Sequence, residues 1–297
     1  MMRFVKLEDR GLLRLTGSDA KPFLQGLISN DTKKLASNRA IHAALLSPQG
    51  KYLHDFFLAE WENGLYLDCE AARRDDLKRR LSIYKLRSQI AIAEAEPGLA
   101  VFALFGTGAI EAVKLEPKPG AARLFAGGIA YVDPRLAAAG LRAILTAADA
   151  ERTLHSAGFM PGGAEDYERL RLGLGLPNGS LDLDVDKTVL LEAGFEELNG
   201  VDFSKGCYMG QEVTARTKYR GLIKRHLLQV TIEGTPPPRG APLLMDGIEV
   251  GEMRSSCGDL GLALVHLDRF AEATARGASL VSEGSRVIPH KPDWTAL

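Results

Sequence analysis

The sequence predicts an α+β protein whose last quarter is a small β-barrel. Three observations carry that expectation. Helix-period and strand-period apolar patterns are mixed along the first two thirds of the chain. Thr235-Pro236-Pro237-Pro238-Arg239-Gly240 is a stiff break. Beyond it come only short apolar pieces between turn residues, the pattern of an all-β barrel or sandwich. The 297 residues, 45% hydrophobic and 25% charged, are enough to bury a sizeable core in two or three domains. The 37 basic and 38 acidic side chains leave a net charge of -1. That balance argues against a protein built to coat nucleic acid or an anionic membrane.

The elements follow in order. Residues 11–15 read as a strand. Ser18 offers an N-cap to a helix over 19–28, where Phe23, Leu24, Leu27 and Ile28 keep helical spacing. The apolar runs 40–46 and 52–59 flank Ser47-Pro48-Gln49-Gly50-Lys51 and predict a hairpin. A strand follows at 65–69. Residues 71–87 are an amphipathic helix with Leu77, Leu81 and Tyr84 on one face. Strands are expected at 88–94, 99–105, 128–132 and 141–145, and helices at 148–157 and 164–172. Residues 173–186, with Asp182, Asp184 and Asp186, read as an exposed loop. Strands at 227–232, 241–245, 248–253, 261–267, 278–282 and 286–289 complete the barrel. The expected domains are 1–97, 98–225 (free to interleave with the first) and 226–297.

No apolar run approaches the roughly 20 residues of a membrane helix. The opening MMRFVKLEDRG is charged at once and reads as neither a secretory signal nor an Arg- and Ser-rich presequence. Cys69, Cys207 and Cys257 are odd in number and widely spread, so neither a disulfide framework nor a CxxC metal site follows. A cytoplasmic home is expected.

Residues 201–225 carry the chemistry. Cys207 follows Gly206, Gly210 lies three residues on, and Lys205 precedes the thiol by two. From Lys205 to Arg225 there are six basic residues against one acidic residue, Glu212. A cationic neighbourhood favours thiolate over thiol. The glycines permit a sharp turn and the close approach of a ligand. A lone cysteine is more often a small buried hydrophobe, and that is the expectation for Cys69 and Cys257.

Lys205-Gly206-Cys207-Tyr208-Met209-Gly210-Gln211-Glu212 resembles the signature of the YgfZ family, which is related to the glycine cleavage T protein. Leu13–Ala20, Phe23–Asp31, Leu46–Lys51 and Tyr84-Lys85-Leu86-Arg87 look similar too. The resemblance implies a three-domain aminomethyltransferase-like ring around a central channel. It implies a protein that binds tetrahydrofolate or a derivative and supports assembly or maintenance of iron–sulfur enzymes, including radical enzymes that modify tRNA. Its partners would be the assembly machinery or cluster-dependent clients, with no membrane, no direct nucleic-acid binding and no resident metal. Cys207 would be the functional thiol and Lys205 its tuner, with Tyr208, Gln211 and Glu212 completing the motif. Asn30, Asp31, Arg171, Glu192 and Arg216 are the folate-binding candidates. One departure stands out. Aminomethyltransferases grip the pterin with a glutamate, and the matching position in Arg171-Leu172-Gly173 is Gly173. Two rival readings are an active folate-dependent aminomethyltransferase or demethylase, and a scaffold that only docks partners.

Overall fold

The computed structural model describes residues 1–221, 223–277 and 279–296. Ala278, where the penultimate strand was expected to begin, lies outside the described residues.

Three sheets organise the chain. The elements before the first crossover are β1 (Arg3–Lys6), β2 (Arg10–Thr16), α1 (Ala20–Gln25), β3 (Ile41–Leu46), β4 (Tyr52–Trp61), β5 (Gly64–Glu70), α2 (Arg74–Tyr84) and β6 (Ala91–Glu94). Strands β3-β4-β5-β2-β6 form the first sheet, in that order. Next come β7 (Leu99–Phe105), α3 (Ala109–Ala112), β8 (Ala122–Phe125), β9 (Gly128–Val132), β10 (Leu141–Thr146), α4 (Ala147–Ser156) and β11 (Met160–Pro161). They build the second sheet, β11-β1-β7-β10-β9-β8. The chain's first strand therefore belongs to the second sheet, where Phe4 lies opposite Leu104 of β7.

Strand alternation explains how the sheets stack. Leu13 and Leu15 of β2 pack with Leu24, Leu77 and Leu81 under α1 and α2. Leu12, on the opposite face, joins Phe57, Tyr66, Val101, Ile129 and Ile144 in a core shared by both sheets. Leu104, Leu145, Leu154 and Phe159 close the far side beneath α4. Each such side chain, fully buried, contributes roughly 1.5–3 kcal/mol.

After the second sheet come α5 (Ala164–Gly173), α6 (Gly179–Asp182) and α7 (Gln211–Tyr219). The last part is a closed barrel of β12 (Arg225–Glu233), β13 (Pro242–Met245), β14 (Ile248–Cys257), β15 (Leu260–His266), β16 (Leu280–Ser282) and β17 (Ser285–His290). Leu228, Val230, Met253, Ala263, Val265 and Val287 fill it. Two expectations need correction. A helix, α8 (Leu267–Arg276), interrupts the barrel strands; the strand pattern on either side gives no sign of it. Residues 173–186 are not an exposed loop. Leu176, Asp182 and Leu183 are buried, because the Asp182 carboxylate is drawn inside by Arg171 at 2.9 Å.

The two sheets meet across a charged seam. Asp68 of β5 accepts from Arg10 Nε of β2 at 2.6 Å and from Arg142 Nη1 of β10 at 2.7 Å. Asp133 grips Arg135 through its Nη2 at 2.8 Å. The three guanidiniums surround the Phe57 ring at 5.8, 5.0 and 3.9 Å for Arg10, Arg135 and Arg142. Burial pulls the Arg10 pKa down, but the Asp68 carboxylate holds it above the usual arginine range. Asp68→Ala would strand the buried Arg10 and leave Arg142 only its longer contact to Asp133 at 3.6 Å, so it should destabilise the protein by about 3–5 kcal/mol. The urea midpoint reads this, and a change below about 1 kcal/mol would show that the seam carries no weight.

His54 of β4 is buried, with Nε2 2.9 Å from Asp76 Oδ2 of α2. Burial, then Arg73, lowers its pKa from 6.5 to about 4. Between those values the unfolded chain binds the proton and the folded chain does not. Stability should therefore fall as pH drops through that window, by up to about 3 kcal/mol from this residue. Denaturation midpoints across that range should show a shallower slope in His54→Gln than in the wild type.

Candidate functional site

The signature lies on the loop that enters α7. Gly206 has φ +93° and Gly210 φ +78°, conformations that a side chain disfavours. A Cβ at Gly210 would stand 2.4 Å from the Ser47 carbonyl oxygen and 3.1 Å from Gly50 Cα. The hairpin turn 47–51 and the signature loop thus dock backbone against backbone. Tyr208 is buried with Leu46, Tyr52 and Phe195. Its N–H donates to Gln211 Oε1 at 3.1 Å, and the Met209 N–H donates to the Gly26 carbonyl at 3.1 Å. Glu212 is exposed in the first turn of α7, where a carboxylate suits the helix dipole. Arg216 is exposed further along the same helix.

Lys205 has a role the sequence did not disclose. Its ammonium is buried and donates to the carbonyls of Gln25, at 2.7 Å, and Ile28. These carbonyls lie at the C-terminal end of α1, where a cation is favoured. It also sits 4.8 Å from the Tyr208 ring centroid. Burial lowers its pKa to about 8. In return, Gln25 Nε2 donates to the Lys205 carbonyl at 3.1 Å. Segments 23–31, 46–51 and 205–212, far apart in sequence, are tied around one thiol. Of the three cysteines Cys207 alone is exposed.

A second feature opens beside the charged seam. A cavity of about 440 Å³ is lined by Lys6, Arg10, Arg142, Tyr167, Glu168 and Arg171, among others. The Arg142 Nε is buried and has no hydrogen-bond partner. Arg171, a folate candidate, does line the cavity, but its donors are committed. They go to Glu168, Asp182 (2.9 Å), the Leu176 carbonyl (3.0 Å) and Ser255 Oγ (2.8 Å). A guanidinium has five N–H donors, and all are used in knotting α5 to the barrel.

The other candidates lie elsewhere. Asn30 is buried, and its amide nitrogen donates to the carbonyls of His42 and Asn199, each at 2.7 Å. Asp31 caps a short turn through the Lys33 N–H at 3.0 Å. Glu192 pairs with Arg225 at 3.2 Å. None of these, nor Arg216, lines the large cavity. Gly173 also points away: a Cβ there would have Leu260 of the barrel as its neighbour, at 3.8 Å. Sequence reading missed Arg10, Arg142, Tyr167 and Glu168. The available signal was a charged residue inside an apolar strand, as in Leu141-Arg142-Ala143-Ile144-Leu145. Among the described residues no group of three or more His, Cys, Asp or Glu side chains is placed to hold a metal ion.

Burial pushes the Cys69 thiol up to about 12 and raises that of Cys257. Iodoacetamide at neutral pH should therefore label Cys207 first and Cys69 last, as read by mass-spectrometric mapping. Labelling of Cys207 after Cys257 would remove the case for an available thiol.

Known proteins agree with this architecture. Residues 224–297 match the family described as the CAF17 C-terminal β-barrel domain. The fold superposes on the glycine cleavage system aminomethyltransferase T of Bartonella henselae with a TM-score of 0.78, covering 99% of this chain and 86% of that one at 16% identity. The fold is thus aminomethyltransferase-like. The human iron–sulfur cluster assembly factor IBA57 is 33% identical, over 97% of this chain and 84% of its own length. The Mus musculus counterpart is 32% identical with the same coverage. Both are named mitochondrial proteins, which overturns the expectation of a cytoplasmic home. Among the described residues no helix is long and apolar enough to cross a membrane. The chain belongs to the family of the iron–sulfur cluster assembly factor IBA57.

Proposed function

We propose that this protein assists iron–sulfur cluster assembly through Cys207, and that the arginine-lined cavity takes a reduced folate. The observation that carries the first part is an exposed thiol on a loop fixed from three sides. A cluster is usually held by four thiolates. This chain has three cysteines, one of them buried. Cys207 therefore supplies one ligand to a cluster in transit, and a partner supplies the rest. The clients include radical enzymes that modify tRNA.

The cavity suits a folate chemically. A folate has a planar ring and an anionic tail. Tyr167 and the guanidiniums of Arg10 and Arg142 offer flat surfaces and cationic donors in a space of ligand size. A bound tetrahydrofolate supplies one-carbon carrier chemistry. Arg10 and Arg142, which line the cavity, would bind the ligand's acceptor groups, and Lys6 would attract its tail.

Cys207→Ala should fail to restore cluster-dependent enzyme activity in cells lacking the protein, while binding reduced folates as the wild type does. Full restoration by Cys207→Ala would refute the thiol reading. In calorimetric titration with tetrahydrofolate, Arg142→Lys should weaken binding by roughly tenfold, because it keeps the charge facing Asp68 but loses the planar fork. Gly173→Glu should leave affinity unchanged, since its side chain would point towards the barrel. Absence of any folate binding by the wild type would remove the ligand and leave the thiol reading standing.

A further inference from the structure

In the segment Tyr84-Lys85-Leu86-Arg87 the backbone of Lys85 closes the end of α2, but Tyr84, Leu86 and Arg87 are exposed. Tyr84 ends α2, and Leu86 lies two residues beyond it in the left-handed region, at φ +42°. That position after a helix favours glycine. Yet it holds a leucine whose side chain is directed into solvent, with 88% of the residue exposed. Ile83 is likewise 61% exposed. A strained backbone and an apolar side chain in water both oppose folding, and such conflicts gather at functional sites.

This patch adjoins the thiol loop. Ile83 and Tyr84 line a cleft of about 200 Å³ together with Gln49 and Met209, two residues from Cys207. At the end of α7, exposed Tyr219 packs edge-on against Phe203, with ring centroids 6.3 Å apart. Arg87 belongs to this turn, Arg216 and Arg220 to α7 and its C-cap, and Lys224 to the segment that follows. Arg87, Arg216, Arg220 and Lys224 are exposed and have no carboxylate within salt-bridge distance among the described residues. The carboxylates nearby are Asp186, in the cleft, and Glu212, on the first turn of α7.

We infer that the Ile83–Arg87 turn is a docking latch for the protein that shares chemistry with Cys207. Its partner is a folded protein with an acidic rim around an apolar socket that receives Leu86. An apolar anchor within a charged rim is the usual anatomy of a specific interface. The unpaired cations select an acidic face and speed its approach. The inference rests on the reading of Cys207 as the working thiol, and its test separates the two.

Leu86→Gly removes the anchor and relaxes the backbone. Its melting temperature should equal or exceed that of the wild type, while restored cluster-enzyme activity in cells lacking the protein falls roughly tenfold. In the same cells, a photo-crosslinking amino acid at position 86 of the full chain should join one iron–sulfur assembly or client protein. The crosslinked segment should be acidic, and the yield should fall with salt and in Arg87→Glu. Full activity of Leu86→Gly alongside inactivity of Cys207→Ala would overturn the latch and keep the thiol. Full activity of Cys207→Ala would overturn the reading beneath it. Co-sedimentation of the wild type, but not Leu86→Gly, with anionic phospholipid vesicles would reassign the patch to a membrane and overturn the proposal. So would a crosslink to RNA.

Discussion

Asp68 is the residue on which the arrangement of the first two sheets depends. It has no exposed surface, and it neutralises one arginine from its own sheet and one from the facing sheet. An unpaired charge in that interior would cost several kcal/mol, whereas the pair with good hydrogen bonds roughly breaks even. The seam's importance is therefore directional more than energetic. Apolar surfaces such as Leu12 against Ile129 could slide by a residue with small loss. Two charge-assisted bonds at 2.6 and 2.7 Å could not. Phe57, ringed by three guanidiniums, extends the same constraint towards Asp133. The cavity opens beside this seam, where Arg10, Arg135, Arg142 and Arg171 share its lining with Glu8, Asp9, Glu165 and Glu168. Arg142 Nε makes no hydrogen bond, but it lies 3.6 Å from Asp133 Oδ2, so Arg142 links both buried aspartates.

The barrel is attached by a second charged knot of the same kind. Arg171 of α5 and Asp182 of α6 meet Ser255 of β14, with Asp182 Oδ1 accepting from Ser255 Oγ at 2.5 Å. Leu172 beside it packs on Leu227, Leu262 and Leu264. This explains why a residue chosen from a folate motif proved structural. The motif's arginine is used up in holding α5 against the barrel, and Gly173 follows on the barrel side.

Local signals were the legible ones. The hairpin of β3 and β4, the amphipathic α2 and the barrel strands follow from periodicity and turn residues within short windows. The signature loop was legible because its residues are contiguous. What periodicity could not show is pairing over distance. Asp68 and Arg142 are 74 positions apart, and Lys205 reaches back 180 positions to Gln25. The cations around Cys207 suggested a thiol tuned by Lys205. Packing instead commits that ammonium to the end of α1. Residues 173–186 misled for the same reason: three aspartates look exposed until the arginine that buries one of them is known.

The fold is that of an aminomethyltransferase, but a fold shared at 16% identity assigns no reaction. The reaction belongs to the groups that reach the interior and the surface, and here these are distinct. The interior presents guanidiniums held by buried aspartates, with no free carboxylate base among them. Asp55 fits that reading. Although burial opposes its charge, hydrogen bonds from His42 and Tyr52 hold its carboxyl well below the usual range. A carboxylate so stabilised is a poor base. The exposed thiol of Cys207 lies outside, on a loop whose glycines allow the backbone of one segment to touch that of another. β4 joins the two places, with Tyr52 packed against Tyr208 of the signature loop and Phe57 stacked on Arg142, which lines the cavity. The exposed thiol and the cavity are thus two separate places, tied to one another through the same strand.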